Sequence, residues 1–224
     1  MKYQLAKPHI GVQEEQQVLE VLRSGVLSMG PKIEQFEKKF AQYVGVRYAC
    51  AVSSGTAGLH LALIGAGIKE GDEIITTPFS FVASANAILF VGATPVFADI
   101  DPITYNIDPK KIEAVITKKT KAILVVHILG QASPMDEIEV LAKKYKLKII
   151  EDACESIGAT YKKRTGKKSM VGTFGESAVF AFYPNKQMTT GEGGMIVTNH
   201  KKLDDLFRSL RNQGRARNMS WLDH

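Results

Sequence analysis

The chain has 224 residues, 45% of them hydrophobic and 23% charged, with a formal charge of +6. These proportions exclude a generally disordered, collagen-like or coiled-coil chain. Two cysteines, Cys50 and Cys154, are too few for a disulfide scaffold and are expected as buried thiols in a reducing compartment.

The length suits one large domain or two small ones. The longest apolar run, Ala122 to Leu129, is broken by His127 and falls short of the ~20 residues that a bilayer requires. The first residues carry no apolar signal-peptide core, so a cytoplasmic protein with no membrane partner is expected. The basic residues are scattered. Their dense groups, Lys162-Lys163-Arg164 with Lys167-Lys168, and Arg208/Arg211/Arg215/Arg217, are not interleaved with aromatics, so nucleic acid is not the expected partner. A solvated surface or an anionic small substrate accounts for the charge.

Apolar spacing predicts amphipathic helices over Glu14–Ser24 and Ile33–Val44. Strand-like and helical runs then alternate. Tyr48–Val52 reads as a strand and Thr56–Ala66 as a helix; Glu73–Thr77 and Phe81–Phe90 repeat the pair. Strand Thr94–Ala98 and helix Pro109–Ile116 follow, then strand Ala122–His127, helix Pro134–Tyr145 and strand Lys148–Asp152. Unbroken Ile123-Leu124-Val125-Val126 fits a buried parallel strand. This order predicts an α/β protein: a three-layer α/β/α sandwich with a mostly parallel sheet. Beyond residue 152 the rhythm changes. Short strands at Ser177–Phe182 and Met195–Thr198 flank a Gly-rich stretch, and Lys201–Arg211 is a helix.

Ligands of open parallel sheets sit beyond the carboxyl ends of the strands. Four features fall there. Ser54-Gly55-Thr56-Ala57 is a Gly-containing strand-to-helix turn, which supplies free backbone N–H groups for a phosphate; Ser54 as a simple helix cap is the plainer alternative. Walker and G-x-G-x-x-G patterns are absent. Phe81 follows the next strand and offers either a flat face for a planar ligand or core packing. Glu151-Asp152 ends an apolar strand; successive strand residues face opposite ways, so only one of the two carboxylates can face a ligand, and Asp152 as a helix N-cap is the alternative. Lys186 lies among Phe182, Tyr183 and Pro184, apolar surroundings that destabilise an ammonium and favour an amine nucleophile; for a lysine taken alone, a solvated surface charge is the plainer alternative. Phosphate donors (Gly55, Thr56, Ala57), a stacking ring (Phe81), a carboxylate for a pyridine nitrogen (Asp152) and an amine for an aldehyde (Lys186) together match pyridoxal 5'-phosphate, and no metal is called for.

At these residues the chain resembles the DegT/StrS family of pyridoxal-phosphate nucleotide-sugar aminotransferases, of the aspartate-aminotransferase fold. The markers are Leu22–Ser28, Ser54-Gly55-Thr56-Ala57, Thr77–Ala83, Gly92–Val96, Glu151-Asp152-Ala153, and Phe182-Tyr183-Pro184-Asn185-Lys186 with Gly191-Glu192-Gly193-Gly194. The resemblance implies Lys186 as the catalytic Schiff-base lysine, with Gly55, Thr56, Ala57, Phe81 and Asp152 binding the cofactor. It further implies glutamate as amino donor, a keto-sugar on a nucleotide diphosphate as acceptor, and a homodimer. Two positions depart from the family pattern. Glu155 stands where Gln or His usually contacts the cofactor near its ring hydroxyl, and is expected to bind the cofactor there by accepting that hydroxyl's proton; Ala181 stands where a serine usually donates to the phosphate. The resemblance also divides the chain into an N-terminal segment plus cofactor-binding large domain (1–210) and the start of a C-terminal small domain (211–224), the rest of which is absent. A sugar dehydratase of the same family would carry histidine at Lys186; a cyclitol aminotransferase or a non-catalytic regulatory relative would share the motifs.

Overall fold

The computed structural model describes residues 6–215. Helix α1 (Val12–Ser24) and helix α2 (Pro31–Val44) lead into β1 (Tyr48–Val52), α3 (Gly55–Gly65), β2 (Glu73–Thr76), α4 (Ala83–Phe90) and β3 (Thr94–Phe97). Then come α5 (Pro109–Ala114), β4 (Thr120–Val126), α6 (Met135–Tyr145), β5 (Lys148–Asp152), β6 (Thr160–Lys162), β7 (Lys168–Met170), β8 (Ser177–Ala181), β9 (Gly194–Thr198) and α7 (Lys201–Leu210). The expected second domain from 211 falls largely on residues 216–224, outside the described ones.

Seven strands form one sheet in the order β1-β9-β8-β5-β4-β2-β3. Strands β8, β5, β4, β2 and β3 are parallel neighbours; β9 runs antiparallel to both β1 and β8. The "mostly parallel" expectation thus holds, and the one reversed strand leaves β1 pointing the same way as β8. β6 and β7 form a separate hairpin that the sequence pattern does not show.

The period of two in each strand builds the three layers. Leu124, Val179 and Ile196 face α3, α4 and α7, packing with Leu59, Leu63, Ile88 and Phe207. Their sequence neighbours turn the other way. Phe180, Met195 and Val197 pack on Phe40, Ala41 and Val44 of α2, while Ile123, Val125 and Ile149 pack on Ile112, Met135 and Ile138 of α5 and α6. With both faces covered, the central strands read as continuous apolar runs. Helix α3 is apolar all round because it lies between the sheet and both α4 and α7. α1 is different: it is amphipathic as expected, yet buries none of its residues.

Helix α7 is bound to β1 and α2 by an ion cluster. The buried Glu37 carboxylate accepts from Arg208 Nη1 (2.6 Å), from Arg211 Nη1 and from the Ala51 N–H (2.9 Å). Arg208 also donates to Asp204 (2.8 Å) and to the Ala49 carbonyl (2.7 Å). Arg208 and Arg211 are therefore neither a solvated face nor a ligand site at the strand ends, and Arg217 lies outside the described residues.

Candidate active site

A cavity of about 550 Å³ opens at the carboxyl ends of β1, β2, β4, β5 and β8, where an open parallel sheet binds its ligands. Among the residues anticipated from sequence, Gly55, Thr56, Phe81, Asp152, Glu155 and Lys186 all line it. Ala57 does not.

The β1–α3 turn supplies the first wall. Ser54 caps α3, its Oγ accepting the Ala57 N–H at 3.1 Å. Both readings of the turn are thus realised at once: Ser54 is the cap, and this consumes the Ala57 donor expected for a phosphate. The N–H groups of Gly55 and Thr56 have no partner within a helix by geometry and remain for an anion. The turn is held by close approaches that only glycine permits. A Cβ on Gly194, at the start of β9, would sit 2.6 Å from Ser54 C and O and 2.8 Å from Gly55 N. A Cβ on Gly55 would meet Ala181 Cβ at 2.8 Å and Cys154 Sγ at 2.9 Å. Ala181, 6% exposed, brings no donor, so its side chain does not replace the serine hydroxyl that the family pattern gives to the phosphate.

Phe81 precedes α4 rather than opening it: the helix begins at Ala83, because the Phe81 carbonyl already closes a tight turn onto the Ser84 N–H (3.2 Å). Its ring is 72% exposed, which decides against core packing.

The two consecutive carboxylates separate as the strand period demands. Glu151, fully buried, accepts the N–H groups of Gly172, Phe174 and Gly175, each at 2.7 Å. His127 Nε2 lies 3.1 Å from the same carboxylate, and His127 Nδ1 accepts the Ser133 N–H at 3.0 Å. A backbone N–H only donates, so Nε2 carries the ring proton and donates to Glu151. Glu151 is thus a structural anchor for the 172–175 loop. Asp152 alone lines the cavity; it is 6% exposed, and its Oδ1 accepts the Cys154 N–H at 3.2 Å. Its Oδ2 accepts from Ser84 Oγ at 2.7 Å, a partner the sequence did not single out. Burial first, and the Asp152 carboxylate second, push the Cys154 thiol well up.

Lys186 is placed by a loop tied at both ends to Phe182. The Phe182 N–H donates to the Gly193 carbonyl (2.9 Å), and the Thr190 N–H and Thr189 Oγ1 donate to the Phe182 carbonyl (both 3.0 Å). Phe182 is itself anchored in an aromatic cluster with Phe36 and Phe40. The amine is less apolar in its surroundings than expected: Lys186 Nζ donates to Glu155 Oε1 at 3.0 Å, while Glu155 Oε2 accepts the Leu129 N–H at 3.3 Å. Glu155 therefore touches the lysine directly. Arg211 and Arg215 line a different cavity, between α2 and α7, and do not reach this one.

The model of the DegT/DnrJ/EryC1/StrS aminotransferase family matches residues 8–223. The chain belongs to this family. Among curated DegT/DnrJ/EryC1/StrS relatives, the spore coat polysaccharide biosynthesis protein SpsC of Bacillus subtilis is 49% identical over 210 residues, covering 94% of this chain and 53% of that protein. GDP-perosamine synthase of Caulobacter vibrioides is 48% identical, covering 94% of this chain and 56% of that protein. Among solved structures, the PLP form of a putative sugar aminotransferase from Streptococcus pneumoniae matches with a TM-score of 0.87 at 28% identity, over 93% of this chain and 57% of that one. The chain thus spans about half the length of the curated relatives it matches.

The donor set fits pyridoxal 5'-phosphate. A helix N-terminus with two free N–H groups, a buried carboxylate, an exposed aromatic ring and a primary amine converge on one cavity. The close approach of Gly194 leaves the helix start bare of side chains on that side.

Proposed function

We propose that this chain forms the cofactor-binding part of a PLP-dependent aminotransferase that moves an amino group, from glutamate, onto a keto-sugar carried by a nucleotide diphosphate. The observation that carries this reading is the convergence of Lys186, Asp152, Phe81 and the α3 N-terminus on one cavity. The names of its relatives, GDP-perosamine synthase and a spore coat polysaccharide biosynthesis protein, support the sugar-nucleotide acceptor.

The N–H groups of Gly55 and Thr56 hold the phosphate at the positive end of α3. Phe81 offers its face to the pyridine ring. The Asp152 carboxylate keeps a proton on the ring nitrogen. When bound, the cofactor supplies an aldehyde that captures amines and a ring that takes up an electron pair. Lys186 Nζ would be the amine that holds the cofactor's aldehyde, and when free it would be the general base that takes up and returns the substrate proton. Glu155 holds the Lys186 ammonium within 3.0 Å before the cofactor arrives. A histidine-type dehydratase is not favoured, since the reactive position is lysine.

We assign the enzyme to the cytoplasm, where its unpaired Cys50 and Cys154 stay reduced. We propose a homodimer, with the second copy covering the exposed Phe79, Phe81, Val82 and Leu129 around the cavity mouth. The test is spectroscopic. Added PLP gives a visible absorption band, and glutamate bleaches it; no band, or one indifferent to glutamate and to other amino donors, refutes the reading.

A further inference from the structure

We infer that Ser84 is a positioning residue for this reaction: with Ser80 it forms a two-hydroxyl relay that fixes the Asp152 carboxylate for the cofactor's ring nitrogen. This rests on the assignment of Asp152 proposed above.

The relay follows from counting hydrogens. Asp152 Oδ2 and Ser84 Oγ are 2.7 Å apart, and both side chains are buried, at 6% and 2% exposure. An ionised carboxylate has no hydrogen to give, so Ser84 donates. A hydroxyl has one hydrogen, and Ser84 has now used it. The bond between Ser80 Oγ and Ser84 Oγ, at 2.8 Å, therefore has Ser80 as donor. Ser80, half-buried, lines the cavity, so the chain of donors runs from the cavity wall through Ser84 to Asp152.

Each oxygen of Asp152 is then met by one fixed donor, Ser84 Oγ on Oδ2 and the Cys154 N–H on Oδ1. Two donors on different elements, the start of α4 and the turn after β5, fix the plane of the carboxylate and leave a lone pair on each oxygen for a third partner. The negative charge also lies at the N-terminal turn of α4, where the helix dipole favours it. Neither serine need touch the ring; they act through Asp152. A carboxylate held at both oxygens meets a ring nitrogen without first losing rotational freedom.

The test compares two ligands in equilibrium dialysis with the apoprotein: PLP, and its carbocyclic analogue in which C–H replaces the ring nitrogen. The analogue keeps the phosphate, ring face and aldehyde but makes no bond to Asp152. Ser84→Ala is expected to weaken PLP by about ten-fold and leave the analogue unchanged within about two-fold. Ser80→Ala, at a half-buried position, moves PLP in the same direction by roughly two-fold. Equal weakening of both ligands by Ser84→Ala would show a general effect on the cavity and overturn the proposal, as would no weakening of either. Asp152→Asn separates the two layers. If the unaltered protein and Asp152→Asn both bind PLP and analogue alike, the assignment of Asp152 itself is wrong and the relay falls with it. If Asp152→Asn discriminates against PLP and Ser84→Ala does not, only the relay is wrong.

Discussion

The Gly194→Ala substitution tests the cofactor cradle at its tightest point. The new Cβ would stand 2.6 Å from Ser54 C and O and 2.8 Å from Gly55 N. All three are backbone atoms, so no side-chain rotation relieves the clash. Gly194 is fixed in turn by its pairing with Val52 and Ala181 in the sheet. The start of α3 has little room of its own, since the Gly55 and Gly58 positions lie against Ala181, Cys154 and Val179. Restoring ordinary van der Waals separation needs a shift of more than half an ångström between β9 and the α3 N-terminus. Overpacking of this kind costs about 2 kcal/mol, or a fall in Tm of about 4–8 °C for a chain of this size. The same shift moves the Gly55 and Thr56 donors. Losing one charge-assisted hydrogen bond to the phosphate lowers the affinity for PLP relative to unphosphorylated pyridoxal by about ten-fold. Calorimetric melting reads the first effect, and paired titrations with PLP and pyridoxal read the second. A variant with unchanged Tm and unchanged preference for the phosphorylated ligand would refute the cradle.

Three other substitutions probe the core and the phosphate site. Glu37→Ala leaves the partly buried Arg208 and Arg211 guanidiniums without their shared anion and should destabilise the fold by about 2–3 kcal/mol in urea unfolding; a loss under about 1 kcal/mol would show the cluster to be incidental. Ala181→Ser puts a hydroxyl donor beside Gly55 and should tighten PLP several-fold in direct titration, by about 1 kcal/mol; weaker binding would place the phosphate elsewhere. Burial pushes the Cys50 thiol up to about 11, from an ordinary value of 9.0. The folded chain thus keeps a proton that the unfolded chain gives up, so stability declines as pH rises from about 9 towards 11, by about 2–3 kcal/mol. Cys50→Ala should flatten that limb of the stability–pH curve; an identical slope in the variant would assign the decline to other groups.

The strand and helix order was readable because each central strand is buried on both faces, and because α1, α2, α6 and α7 each carry one apolar stripe while α3 and α4 are apolar throughout. Boundaries slipped where a local interaction outweighed the pattern: the Phe81 turn delays α4 to Ala83, and β4 begins at Thr120, before its apolar run. The reversal of β9 was not legible, since Met195-Ile196-Val197 reads the same whichever way its neighbours run. The β6–β7 hairpin was missed because its strands, Thr160–Lys162 and Lys168–Met170, are short and largely polar. At the site, motif spacing pointed to Lys186, Asp152, Phe81 and Gly55-Thr56, all of which meet at one cavity. Ala57 failed because the same motif that exposes helix donors also supplies Ser54 to cap one of them. Ser84 gave no signal of its own: it is one small residue in an apolar helix, and its partner Asp152 is 68 positions away. The Glu155–Lys186 pair likewise joins residues 31 positions apart, and only the folded loop reveals it.

Reductive trapping tests the covalent role of Lys186 most directly. The protein is incubated with PLP, reduced with borohydride to convert any imine to a stable secondary amine, digested, and mapped by mass spectrometry. The pyridoxyl mass is expected on the peptide containing Lys186 and to disappear in Lys186→Ala. A modification spread over surface lysines, or centred on another lysine and persisting in that variant, would contradict the assignment.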